Sequence, residues 1–299
     1  MRVALAFFAL VLLWSTTPLA IKWSGEGPGY LFGAMGRMVI GLACMLPVLL
    51  VMRQKLPLTA KALSTYLAVA LQIYGAMLST YWAAQFIPSG WISVIFGLTP
   101  MMTALMAAVW LTEKSLSPTK ILAYLIGFSG LMVMFGSALE IGRESALGIA
   151  AVMFSAFLQS ASAVWIKRVN SQLPAICQVT GGLLIAVPLY LATWFGMDGQ
   201  WPETLPITSL VSIIYLGAIA TTVGFALYYY VLTHLPATQV ALITLLTPIL
   251  SLLLGNAVNH EPLSSKVLTG TALIMSALLL HQGSLPGRKR QKAALKKRI

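Results

Sequence analysis

"GLTPMMTALMAAVWLTE", Gly97 to Glu113, returns later in the chain as "LLTPILSLLLGNAVNHE", Leu245 to Glu261. Each stretch holds a Thr-Pro pair, runs on through apolar residues and closes on a glutamate. Thr99 to Thr247 and Glu113 to Glu261 are both 148 positions apart, about half of a 299-residue chain. The echo spreads outward from there. Tyr81 and Tyr229, Pro88 and Pro236, and Leu105 and Leu253 keep the same offset. Towards the N-terminus it drifts to 145 for Lys22 and Lys167 and to 141 for Pro47 and Pro188, as loops of unequal length would require.

The medium in which these copies fold is set by composition. Charged residues are 9% of the chain and apolar ones 59%, with a mean hydropathy of +0.87; soluble domains are typically about one quarter charged. Apolar runs of roughly twenty residues recur, the length that a hydrocarbon layer of about 30 Å demands of a helix. They fall at roughly 3–22, 31–52, 65–86, 90–111, 119–138, 147–167, 175–196, 208–232, 237–257 and 266–282. The expectation is an all-α integral membrane protein of ten spanning helices, with no soluble domain. The first run follows Arg2 as a secretory signal would, but it is long, lacks a small-x-small cleavage site and ends on Lys22. Cys44 and Cys177 make no disulfide framework and have no metal-ligand companions.

The net charge of +12 is distributed unevenly. Fifteen of the 19 Lys and Arg residues fall on the side that carries both termini; Lys22, Arg143 and Lys266 fall on the other, and Arg37 lies within a span. Basic residues are retained on the cytoplasmic side during insertion, so both termini are expected there. The tail 284–299, with "RKRQKAALKKR", reads as an anchor on anionic lipid headgroups. No aromatic interleaving suggests nucleic acid.

Matching the first five runs to the second five places the halves at 1–140 and 146–283. Five is odd, so the second copy enters from the opposite face and the halves are inverted repeats. An inverted pair can exchange its two packings, and so turn an inward-open cavity outward; sites in such folds lie near the midplane between the repeats.

At these residues the chain resembles a family, the ten-helix EamA-type exporters of the drug/metabolite transporter superfamily. The features that carry the resemblance are "LWS" and "AIK" in the first run (Leu13–Ser15, Ala20–Lys22), Arg37 in the second, the proline-bearing run closing on glutamate, "LTEKSLSP" (Leu111–Pro118) and "HEPLSSK" (His260–Lys266). It covers about residues 4–282. The second copy departs from the first in having Gln178 near the place of Arg37, and Ala163 near that of Pro18. The resemblance implies export of small metabolites (amino-acid-like, purine-like or drug-like solutes) from a bacterial inner membrane, by a monomer or weak homodimer without cofactor.

Several residues are candidates for the solute path. Pro100 and Pro248 fall about midway along their runs, where each removes a hydrogen bond and frees a carbonyl, with Thr99 and Thr247 beside them. Tyr81 and Tyr229 lie in ring-and-hydroxyl-rich runs, which suit either a partly apolar solute or an aromatic belt at the membrane interface. Trp14, Ser15, Gln159 and Ser160 add facing polar groups, and a buried amide is costly unless it is partnered. Arg37 either snorkels to headgroups or meets a solute carboxylate. Glu113 and Glu261 read as partners of nearby backbone or lysine at helix ends, or as a gating pair.

The sequence has no phosphate-binding GxxxxGK[ST], no HExxH and no His/Cys cluster. It offers no intramembrane nucleophile–base pair, which argues against an enzyme. No carboxylate lies at the centre of a run, so no direct proton-coupling site is evident. The competing reading is a receptor, assembly factor or lipid scramblase on the same fold.

Overall fold

The computed structural model describes residues 2–111, 117–235, 240 and 242–283; within these, nothing is said of the side chains of Phe225, Tyr229, Leu232 and Thr233. Glu113 and the basic tail 284–299 lie outside the described residues, as does the side chain of Tyr229.

The described chain is helical throughout. In order come α1 (Arg2–Gly25), α2 (Tyr30–Val51), α3 (Ala60–Ala83), α4 (Ser89–Trp110), α5 (Pro118–Ile141), α6 (Arg143–Val169) and α7 (Ala175–Met197). These are followed by α8, made of Ile207–Ile214, Tyr215–Val223 and Gly224–His234, then α9 (Ile243–Asn259) and α10 (Ser265–Gly283). Among the described residues eight helices, α1 to α8, are long and apolar enough to cross a membrane, and α9 is a shorter apolar helix. Large apolar side chains also face outward, among them Leu12, Leu125, Phe128, Phe154 and Val211. An apolar exterior of this extent is unfavourable in water and suits lipid. The chain is a multi-pass membrane protein.

Local chemistry sets the helix ends. Thr59 and Ser117 accept the backbone N–H three residues on, Ala62 and Lys120 respectively, as N-caps. Pro118 follows Ser117 in the first turn, where its missing N–H costs nothing. Small residues let helices touch. Gly130 of α5 approaches the Gly270 carbonyl of α10 so closely that a Cβ there would clash, the contact expected where packing rather than hydrophobic exclusion joins helices in lipid.

The packing has a regularity. α1 packs on α8 and α9, while α6 packs on α3 and α4; α2 packs on α8, while α7 packs on α3; α2 and α7 pack together, as do α5 and α10. Advancing each helix by five, cyclically, returns these pairs, whereas the α1–α2, α2–α3 and α5–α6 packings have no counterpart of similar extent among the described residues. The third helix and the eighth each contain a π stretch as well, Leu71–Ala76 and Tyr215–Val223. Such stretches leave backbone groups off the α ladder. In α3 these are met from outside: Ser155 of α6 donates to the Ala76 carbonyl (2.7 Å), and Tyr190 of α7 to those of Ile73 and Tyr74 (3.0 and 3.2 Å).

The two helices that carry Pro100 and Pro248, α4 and α9, differ from the expectation of matched midpoint kinks. α4 is interrupted at Gly97 and Leu98, and Pro100 lies in the first turn of its second piece, Thr99–Trp110. There Pro100 replaces an N–H that no α-helical bond would use. In α9, Pro248 is the sixth helical residue and the helix runs through it.

Candidate functional site

Two crossings bring the sequence candidates together. Where α6 meets α4, Thr103 Oγ1 lies 3.1 Å from Ser160 Oγ, and Ser160 Oγ donates to the Thr99 carbonyl at 3.3 Å. Where α1 meets α9, Ser251 Oγ donates to the Ser15 carbonyl at 2.8 Å. Ser15 and Ser160 are 145 residues apart and Thr103 and Ser251 are 148 apart, the offsets of the repeat. These four residues therefore stitch equivalent crossings. The Ser15 hydroxyl already donates its hydrogen to the Val11 carbonyl at 2.7 Å, so only its oxygen lone pairs remain for a solute.

Beside the stitches lie polar atoms with no partner. Gln159 Nε2 and Thr99 Oγ1 are buried and make no hydrogen bond. An orphaned amide in a membrane interior is costly, and the cost is relieved when something polar arrives. Trp14, half-buried, stacks on Tyr228 of α8 with centroids 5.4 Å apart. Thr247 is buried in α9.

At one end of the bundle a closure is built around Glu261. Its carboxylate accepts the backbone N–H of Ser89 (2.9 Å), the Ser89 hydroxyl (3.0 Å), the N–H of Gly90 (3.3 Å) and the Asn259 amide (3.0 Å). Lys22 Nζ stands 3.9 Å away and donates to the Ile87 carbonyl at 3.1 Å. Ser89 and Gly90 open the first piece of α4, so Glu261 sits on a helix N-terminus, whose amides and dipole favour an anion. Space for the carboxylate comes from Gly255, where a Cβ would overlap Glu261 Oε2. Trp23 Nε1 donates to Asn259 Oδ1 at 3.2 Å, tying α1 to the same knot. Sequence reasoning placed Glu261 at a helix end; that its principal partners lie 172 residues away, in α4, had no local signal.

The same end holds a cavity of about 230 Å³, lined by Ile21, Lys22, Tyr30, Tyr81, Ala84 and Gln85 among others. Tyr81 is not a belt residue: it is 1% exposed, and its hydroxyl meets no partner. Beside that hydroxyl lies the guanidinium of Arg37 from α2. Arg37 is partly exposed as a whole, but its Nε and Nη1 are buried within the protein and make no hydrogen bond. The ion pairs between described residues are Lys22–Glu261 and Lys266–Glu140, and neither reaches it. Among the described residues no cluster of three or more metal-ligating side chains occurs.

Known proteins give this architecture a lineage. The chain is similar to the uncharacterized transporter YvbV of Bacillus subtilis (strain 168), 26% identical over 93% of this chain and 91% of that one. It is also similar to a probable amino-acid metabolite efflux pump of Escherichia coli (strain K12), 24% identical over 68% of this chain and 70% of the relative. A crystal structure matches the fold with a TM-score of 0.62 at 20% identity, over 94% of this chain and 97% of that chain. The sequence pattern of the EamA-like transporter family matches twice, at residues 1–136 and 146–281. A multi-pass helical protein with this doubled pattern and these relatives belongs to the EamA-like transporter family.

Proposed function

We propose that the protein is a secondary exporter of small amino-acid-like metabolites, working by alternating access across a bacterial inner membrane. The observation that carries this reading is the regular exchange of packing partners when each helix is advanced by five. That is the pattern two inverted halves, 1–140 and 146–283, produce about an axis in the membrane plane. In this reading ten helices span the bilayer, and both termini and the tail 284–299 lie in the cytoplasm, the tail resting on anionic lipid. The Glu261 closure then seals the outer face. The solute class is suggested by the name of the efflux pump of Escherichia coli; the chain acts as a monomer or weak homodimer.

The route runs between the crossings, past Gln159 and Thr99, with Trp14, Tyr81, Tyr229 and Thr247 along it. Ser15 and Ser160 hold the crossings together. The interruption in α4 is the hinge of the first half, whose piece Ser89–Phe96 packs on α9 and α6 of the second half while Thr99–Trp110 packs on α6. Glu261, and Glu113 at the opposite face, act as the closing groups.

Export is tested by comparing metabolites in the medium of cells carrying wild-type protein, Gln159→Leu or empty vector, with equal membrane levels of the two proteins. Wild type should release one class of solutes that the vector strain retains, and Gln159→Leu should release several-fold less. Equal media for wild type and vector would overturn export. Alternating access is tested by joining cysteines at positions 23 and 259 with a reducible cross-linker. Export should stop on cross-linking and return on reduction; uninterrupted export would exclude a moving closure there.

A further inference from the structure

Arg37 poses an energetic problem that the fold does not solve. Burying a guanidinium is expensive unless it is paired and hydrogen-bonded, and the usual remedies are absent around Nε and Nη1. No described carboxylate forms an ion pair with Arg37. The hydroxyl of Tyr190, which also lies near Arg37, spends its hydrogen on the carbonyls of Ile73 and Tyr74. The Tyr81 hydroxyl, with the guanidinium and the Ser24 hydroxyl as its neighbours, is a second buried polar group that makes no hydrogen bond. Between them the guanidinium and the phenol hold more hydrogens than the one phenol oxygen can accept, and this surplus defines a place for an anion.

We infer that Arg37 and Tyr81 form a carboxylate-binding subsite of the solute pathway, and this rests on the exporter reading for the identity of the ligand. Tyr81 is shared with the 230 Å³ cavity, so the subsite adjoins space of solute size. Charge selects the ligand. One arginine neutralises a monoanion; a phosphate dianion would leave an uncompensated charge, because the neighbouring Lys22 is committed to Glu261 and Ile87. Nε and Nη1 are the buried part of a partly exposed side chain, so a solute reaching into the bundle, and not a headgroup at its surface, meets them. Arg37 contributes the charge-assisted bonds, and Tyr81 adds one oxygen-bound hydrogen. An amino-acid-like zwitterion or a simple carboxylic acid satisfies both.

The test uses purified full-length protein in lipid nanodiscs, titrated calorimetrically with the twenty common L-amino acids. For the tightest binder, its amide, which lacks the negative charge, and inorganic phosphate are titrated in parallel. The amide should bind about tenfold more weakly or worse, as expected for loss of a charge-assisted contact, and phosphate should not compete. Arg37→Gln should lose affinity about tenfold for the acid and little for the amide, at unchanged elution volume and thermal stability. Tyr81→Phe removes only the hydroxyl and should cost several-fold. Equal affinity for acid and amide, an Arg37→Gln protein that binds the acid normally, or a wild-type protein that binds none of the twenty would overturn the subsite. Export is judged separately by the medium comparison. A protein that passes there and fails here is an exporter without this carboxylate site.

Discussion

Glu261 and Arg37 both bring charge into an apolar bundle, the first buried and the second partly so, and their surroundings are opposite. Glu261 is saturated: two backbone amides, a hydroxyl and a side-chain amide point at it, a lysine stands beside it, and a glycine makes room. Around Arg37, two buried nitrogens and the adjacent tyrosine hydroxyl have no acceptor. A charge whose bonds are all made within the fold contributes to stability. One whose bonds remain open raises the energy of the empty protein and gains on binding. The difference separates a structural charge from a functional one without reference to their positions in the chain.

The comparison is broken most directly at Glu261. Glu261→Leu strands the amides that open α4 and leaves Lys22 without its counter-charge; it should cost about 3–5 kcal/mol, the range for breaking a buried pair, and appear as failure to accumulate in the membrane. Gly255→Ala should cost about 1–3 kcal/mol by forcing the carboxylate aside, read as a fall in melting temperature in detergent. Lys22→Gln should lose about 1 kcal/mol or less, because the pair at 3.9 Å is long and Lys22 is partly exposed. Arg37→Gln should have the smallest effect on stability, within about 0.5 kcal/mol or favourable, since removing an unpaired buried cation relieves its cost. If Arg37→Gln melted as early as Gly255→Ala, Arg37 would be structural and the contrast would fail.

A parallel contrast links Arg37 to Gln178, its counterpart 141 residues on in the second half. Gln178 donates to the Leu173 carbonyl at 2.8 Å. One position thus has two fates, a closed local bond in one half and an open charge in the other. The doubled scaffold imposes matching crossings, and it leaves the polar equipment of each half free to differ.

The helical class and the spacing of the halves could be read from the sequence because they are written as periodic apolar runs and constant offsets. Glu261 could be read as a residue that ends a helix, since Glu-Pro at 261–262 marks a boundary. Its partners could not, because Ser89 and Gly90 carry no mark of an anion site until packing brings α9 beside them. Tyr81 is the opposite case. The Ser-Thr-Tyr-Trp sequence resembles an interfacial belt, and the packing of that part of α3 on α1, α2 and α6 overrides that resemblance. The interruption of α4 was hidden for a different reason. Proline marks both α4 and α9, yet only α4 has Gly97 two residues before its Thr-Pro pair, where α9 has Leu245.

The bond between Glu261 and the start of α4 also has a consequence for biogenesis. Ribosomes deliver Ser89 and Gly90 to the membrane long before Glu261 is translated. Until then the opening amides of α4 must be satisfied by water or headgroups. The last helices synthesised therefore complete a helix made in the first half, and nascent chains halted before position 261 should hold α4 shallow and accessible until the glutamate arrives.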